Sequence, residues 1–168
     1  MIKVARVRAL VAGGIVACLA VPGAAAAVPQ AKLVGSRAVA PPSAPRVVKE
    51  MIAAGNHIRH RPYRWGGGHR HWRSKGYDCS GAVSYVLHRA GLLDYPLDST
   101  GFMHWGRRGR ASWVTIYANH EHAYMVIAGL RWDTSYITDG DRSGPGWSAL
   151  MRPRKGFRAR HPAGSRRW

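Results

Sequence analysis

The chain has 168 residues, with 26 Lys and Arg against 8 Asp and Glu, for a formal charge of +18. The length suits one domain, and the 46% hydrophobic content with seven Trp excludes a wholly disordered chain. The charge excludes a protein that avoids polyanions and points to an anionic partner: nucleic acid, an anionic membrane surface or an anionic wall polymer.

Met1 to Arg8 carries Lys3, Arg6 and Arg8 and no acid, and Ala9 to Val21 is apolar. Pro22-Gly23 breaks the run, and Ala24-Ala25-Ala26-Ala27 follows. A charged start, a short apolar stretch and a small-residue exit predict a secretory signal peptide over residues 1–26. The apolar run is short of the roughly 20 residues of a membrane span, so no stable span is expected. A rival reading takes Ile15-Val16-Ala17-Cys18 as a lipoprotein cleavage box, with Cys18 acylated. The run continues to Val21 and an Ala-x-Ala exit follows, which favours ordinary cleavage. Cleavage removes three basic residues and no acid, leaving 142 residues at +15. It also removes Cys18, so the exported chain keeps the single thiol Cys79 and no internal disulfide.

Residues 27–45 read as a linker, with Pro29, Pro41, Pro42 and Pro45 and no aromatic residue. Arg46 to His57 reads as a helix on the spacing of Val47, Val48, Met51, Ile52 and Ala54. Arg61 to Gly76 is a loop rich in Gly, His, Trp and Arg. Ser80 to Ala90 is a second helix, with Gly91 as its stop signal. Leu92 to Gly109 connects, with a helical turn near Thr100 to Trp105. Strands are expected at Trp113 to Tyr117, Ala123 to Ala128 and Leu130 to Thr134, the last two joined across Gly129. Asp139 to Trp147 reads as a loop and Gly156 to Arg160 as a closing strand. Helices followed by an antiparallel meander predict an α+β domain over residues 46–161, with a basic tail over 162–168.

Tyr77-Asp78-Cys79-Ser80-Gly81 stands where the loop meets the second helix. A thiol there faces the positive end of the helix dipole and unpaired N–H groups, which favour the nucleophilic thiolate. The same N–H groups suit an oxyanion. His122 heads an apolar strand and is the candidate base. Asp133 or Thr134 on the next strand is the candidate orienting partner; strand parity favours Thr134, while a carboxylate better supports an imidazolium, so Asp133 is preferred. His120-Glu121-His122 is also compatible with half a zinc site, but no matching ligand cluster accompanies it. His69 and His71 read as loop residues at a cleft rim, and Trp65 and Trp72 as candidate substrate contacts. The Gly66 to Gly68 run lacks the Lys-Ser/Thr of a phosphate loop.

Tyr63-Arg64-Trp65-Gly66-Gly67-Gly68, Tyr77-Asp78-Cys79-Ser80-Gly81-Ala82-Val83 and Ala90-Gly91-Leu92 together resemble the NlpC-type peptidoglycan endopeptidases. His122-Ala-Tyr-Met-Val-Ile-Ala-Gly is similar to the His-led strand of that family. The resemblance covers Val47 to Thr134 and implies a papain-like cysteine peptidase, its N-terminal helices packed on a small antiparallel sheet. It implies Cys79 as nucleophile, His122 as general base, Tyr63 at the mouth of the cleft, and Asp78 and Ser80 as substrate-binding residues. The backbone N–H of Cys79 would serve the oxyanion. The implied reaction is hydrolysis of an amide in the peptidoglycan stem peptide, typically between γ-D-glutamate and a diamino acid, by a monomer needing no metal or organic cofactor. One departure is Gly109-Arg110-Ala111-Ser112-Trp113-Val114, where the family often has a Pro-Gly-Asp-Leu turn.

Arg142 to Trp168 holds eight Lys or Arg and no acid. On a secreted, wall-associated protein that charge suits retention on anionic cell-wall polymers. Arg with interleaved Trp also suits nucleic acid, but export argues against a nucleic-acid partner. An intact but catalytically inactive wall-binding protein is the alternative to the peptidase.

Overall fold

The computed structural model describes residues 28–138, 141–165 and 168. The expected signal segment, with Cys18, lies outside the described residues. In chain order the elements are β1 (Lys32–Val34), β2 (Arg37–Val39), α1 (Arg46–Ile58), α2 (Cys79–Arg89), α3 (Ser99–Phe102), β3 (Arg107–Arg108), β4 (Val114–Ala118), β5 (Ala123–Ile127), β6 (Leu130–Asp133), β7 (Gly146–Ser148) and β8 (Arg158–His161). After the β1–β2 hairpin the helices precede the six-stranded sheet, an α+β order.

β3 to β8 form one antiparallel sheet in the order β3-β8-β4-β5-β6-β7. β4, β5 and β6 are the expected meander. Ala128 and Gly129, both at positive φ, turn β5 into β6, as a two-residue hairpin requires. β8 returns to pair with β4. The short strands β3 and β7 fall in stretches read from sequence as connection and loop. Three or fewer residues give too little alternation to identify a strand, and neighbouring strands supply the pairing instead.

α1 and α2 pack on each other and on β5, and α3 packs on β4. Of the stripe its spacing predicts, α1 buries Val48, Met51, Ile52 and Ala54, with Val47 half-buried, and it adds Ile58. α2 is buried from Ser80 through Leu87, sandwiched between α1 and the sheet, so its first turn cannot drift. The opposing side of the core is Ile116, Met125 and Ile127.

The segment 27–45, expected as a linker, instead contains the β1–β2 hairpin. Ala31 N–H donates to Ala128 O at 2.7 Å, tying this segment to the β5–β6 turn. Asn56 on α1 fixes the hairpin from below: its amide donates to Ala38 O at 2.8 Å and its Oδ1 accepts from Ala38 N–H at 3.0 Å. That oxygen also accepts from Trp147 Nε1 at 3.1 Å, so one buried amide joins β2, α1 and β7. Proline content masked this, because the prolines flank the hairpin rather than interrupt it. The start of the expected tail is also packed: Ser165 is buried and its hydroxyl meets His161 Nδ1 at 2.7 Å.

Asn56→Ala would strand the Ala38 and Trp147 donors in the interior. The expected cost is about 3 kcal/mol of unfolding free energy, read as a lower urea midpoint at unchanged slope.

Candidate active site

The site begins with the cap of α2. Asp78 is the N-cap residue, and its Oδ1 accepts from Gly81 N–H at 2.7 Å. Its Oδ2 accepts from Gly66 N–H at 3.0 Å, so the same carboxylate holds the glycine loop. Arg64 N–H donates to Tyr77 O, Tyr77 N–H to Pro62 O, and Asp78 N–H to Gly67 O at 3.2 Å. The loop is thus laced to the segment that leads into the helix. Two glycines permit this contact. A Cβ on Gly81 would stand 1.9 Å from Gly67 O, and one on Gly67 would stand 2.3 Å from Gly76 O. The Trp-Gly-Gly and Asp-Cys-Ser-Gly stretches are therefore two sides of one backbone seam.

This seam places Cys79 at the first position of α2, half-buried, among N–H groups that lack intrahelical acceptors. His122 precedes β5, and Asn119 fixes its turn by accepting from His122 N–H at 2.8 Å through Oδ1. The imidazole lies near enough to Cys79 to feel its charge, and its Nε2 meets Asp133 Oδ1 at 2.8 Å. Asp133 closes β6 and is 2% exposed. Its carboxylate also accepts from Ser135 N–H at 3.0 Å and from the Arg152 guanidinium at 3.1 Å. The Arg131 guanidinium lies 3.6 Å from the same Oδ2. Thr134, the other candidate, is buried, and its hydroxyl finds no hydrogen-bond partner among the described residues.

The electrostatics follow from this geometry. Burial opposes a charge on His122, but the hydrogen bond to Asp133, and the negative charges of Asp133 and Cys79, prevail and raise its pKa to about 9. Burial pushes Asp133 up, but His122, Ser135 N–H and Arg152 together hold its carboxyl below the usual carboxylate range. The arrangement is a cysteine sulfur, an imidazole held protonated, and a buried carboxylate in sequence. It is chemically suited to attack on a carbonyl and to protonation of a departing amine.

Of the expected substrate contacts, Tyr63 lies near enough to this chemistry to feel its charge. Its pKa is raised by burial and then by the negative charges of Cys79 and Asp78, and Arg142 lies 5.5 Å over its ring. Trp65 is 81% exposed on the same loop, free to meet a ligand. Asp78 and Ser80, also expected to bind substrate, are both buried, and they bond to each other and to His69. Asp78 is occupied as a cap and loop clamp. Trp72 is not brought to Cys79. It stacks on His88 at 3.8 Å between centroids, at the other end of α2.

Three contributors escaped the sequence reading. His69 Nε2 meets Asp78 Oδ1 at 2.9 Å, and that hydrogen bond, against burial, raises its pKa. Arg152 bonds Asp133 while lying over the Tyr124 and Phe157 rings at 5.4 and 5.5 Å. Tyr124, in turn, packs beside the His122 ring. The Gly-His-Arg-His-Trp stretch marked His69 as polar and near the loop, but nothing local distinguishes it from His71. Arg152 sits 19 residues from Asp133, in a stretch where five of the nine residues from Arg152 to Arg160 are basic, so no local signal selected it.

No family model and no curated protein matches the chain. Solved structures do. An NlpC/P60 family protein from Bacillus cereus is similar at 21% identity and a TM-score of 0.52, over 68% of this chain and 40% of that one. The peptidoglycan hydrolase RipB from Mycobacterium tuberculosis is similar at 20% identity and a TM-score of 0.54, over 70% of this chain and 68% of that one. A hypothetical invasion protein of Mycobacterium tuberculosis gives 20% identity and a TM-score of 0.51, over 70% and 63%. The chain thus spans well under half of the Bacillus cereus structure and about two thirds of the other two. What these likenesses share with the chain is the fold of NlpC/P60 proteins.

Because its folded pKa is raised, His122 contributes stability that is complete below the ordinary value of 6.5 and is lost as pH rises through about 9. The urea midpoint of the folded chain should fall across that interval, and His122→Gln should flatten the fall. Equal slopes in both proteins would contradict the ion pair.

Proposed function

We propose that this protein is a secreted cysteine peptidase that hydrolyses an amide bond in peptidoglycan stem peptides. The observation that carries the reading is the imidazole of His122, hydrogen-bonded to the buried Asp133 and near enough to Cys79 to feel its charge. The NlpC/P60 fold, which the chain shares with a peptidoglycan hydrolase, supports it. The fold's core is read as papain-like, with α2 presenting the nucleophile to the sheet.

In the proposed mechanism the Cys79 thiolate attacks the amide carbonyl carbon, and the carbonyl π electrons move onto oxygen. The resulting oxyanion lies at the N–H groups of the first turn of α2, whose dipole favours it. The imidazolium of His122 then gives its proton to the amine nitrogen as the C–N bond breaks. An acyl thioester remains on Cys79. Neutral His122 takes a proton from water, hydroxide attacks the thioester carbon, the C–S bond breaks, and the second product leaves as a carboxylic acid that gives its remaining proton to solvent. The proton stays on the imidazole and the thiolate is restored. Asp133 holds the ring orientation and the charge throughout, without itself accepting the proton.

Tyr63 and Trp65 would line the approach to Cys79. Asp78 and Ser80 would act on substrate through the shape of the loop they hold as much as through direct contact. The domain proper is read as beginning at the β1–β2 hairpin, after removal of residues 1–26. The basic surface would retain the enzyme on anionic wall polymers.

Purified peptidoglycan incubated with the chain and examined by mass spectrometry tests the reading. Cleavage within the stem peptide is expected, and Cys79→Ala should lose it while keeping the wild-type melting curve. Asp133→Ala should lower turnover by about 100-fold or more, and Thr134→Ala should not. Unchanged cleavage by Cys79→Ala would overturn the mechanism; binding without cleavage by the wild type would make the protein a wall-binding one.

A further inference from the structure

The far edge of the sheet concentrates cations in a way the cleft does not explain. β8 alternates its side chains, so Arg158 and Arg160 share one face. The β3–β8 register sets Arg108 directly opposite Arg160. Three guanidinium groups therefore crowd one face of a narrow ribbon, and like charges directly opposed across a strand pair destabilise it. Arg160 is 7% exposed and pinned, its Nε donating to Met103 O at 2.7 Å. Burial, followed by the positive charges of Arg108 and Arg158, pulls its pKa down. Arg108 and Arg158 are exposed.

Together with Gly109 and Ala159, these three arginines line a concavity of about 450 Å³. No carboxylate lines it, and among the described residues no ion pair reaches Arg108, Arg158 or Arg160. A fold that gathers three like charges around a concavity, one of them buried and fixed, is suited to hold an anion there. Arginine favours a particular kind: its planar fork of donors matches the oxygens of a phosphate, and several forks can share one tetrahedral group.

We propose that the arginine-lined concavity of β3 and β8 is a binding site for a phosphate group, occupied by an anionic polymer with repeating phosphodiesters. The phosphate site stands on the geometry alone. That its occupant is a wall polymer rests on the function proposed above. β8 lies two strands from β5, which His122 heads. A polymer held there would keep the domain on its support while leaving the cleft on the other elements open.

Binding of poly(glycerol phosphate) to the purified chain, measured by titration calorimetry, tests this without any cleavage step, so failure of the peptidase reading would leave the result intact. Arg108→Gln with Arg158→Gln should weaken binding by about tenfold or more. Lys32→Gln with Arg37→Gln, an equal loss of charge on the exposed hairpin, should leave it nearly unchanged. Equal weakening by both pairs would overturn the site in favour of diffuse attraction. Polyglutamate of matched length should bind more weakly; equal binding would overturn the phosphate chemistry. Duplex DNA binding more tightly, with the same arginine dependence, would overturn the wall polymer as occupant. Added tripolyphosphate should raise the melting temperature of the wild type and not that of the Arg108/Arg158 double variant; an equal rise in both would also overturn the site.

Discussion

Asp133 carries a negative charge almost wholly out of reach of water, and the cleft is organised around keeping it there. A buried carboxylate is tolerated only when its charge is paired and its lone pairs are occupied. Here His122 takes one oxygen, Arg152 the other, and Ser135 N–H adds a backbone donor. The consequence runs outward. Because Asp133 is ionised, His122 stays protonated in spite of its own burial. Because Nε2 faces Asp133, the other ring nitrogen is the one left for the thiol. Arg152, stacked on Tyr124 and Phe157, links the pair to the aromatic face of the sheet.

The second constraint is steric. α2 must begin within backbone contact of the glycine loop, since Gly67 O and the α-carbon of Gly81 leave no room for a side chain between them. Asp78 joins the two by accepting from both Gly66 and Gly81. A nucleophile at the start of a helix is useful only if that start is held, and here it is held by a carboxylate, by two glycines and by burial of the helix on nearly every side. The dipole at the start of α2 then has a fixed target.

These two arrangements also sort the charge. Four of the eight acids have structural duties: Asp78 caps α2, Asp98 caps α3, Asp133 holds His122, and Glu50 pairs with Arg46 at the surface. The basic residues outnumber the acids more than threefold, so most of them have no carboxylate to pair with, and they collect where the backbone puts them. The β3–β8 edge is the most pronounced case, because register rather than composition brings three arginines together there.

Local patterns in the sequence determined α1, α2 and the three-strand meander, since a helical stripe and a period-two strand are visible in a dozen residues. They also marked Cys79 and His122, each placed at the start of an element by its own neighbours. The hairpin at residues 32–39 and the strands β3 and β7 were not legible, because such short strands owe their existence to partners distant in the chain. Choosing Asp133 over Thr134 required knowing which face of β6 meets His122, and a single residue of register reverses that face. His69 on Asp78 and Arg152 on Asp133 were likewise beyond any local signal. Both are contacts between segments that only packing brings together, and the energy of a buried charge depends on those contacts and not on its sequence neighbours.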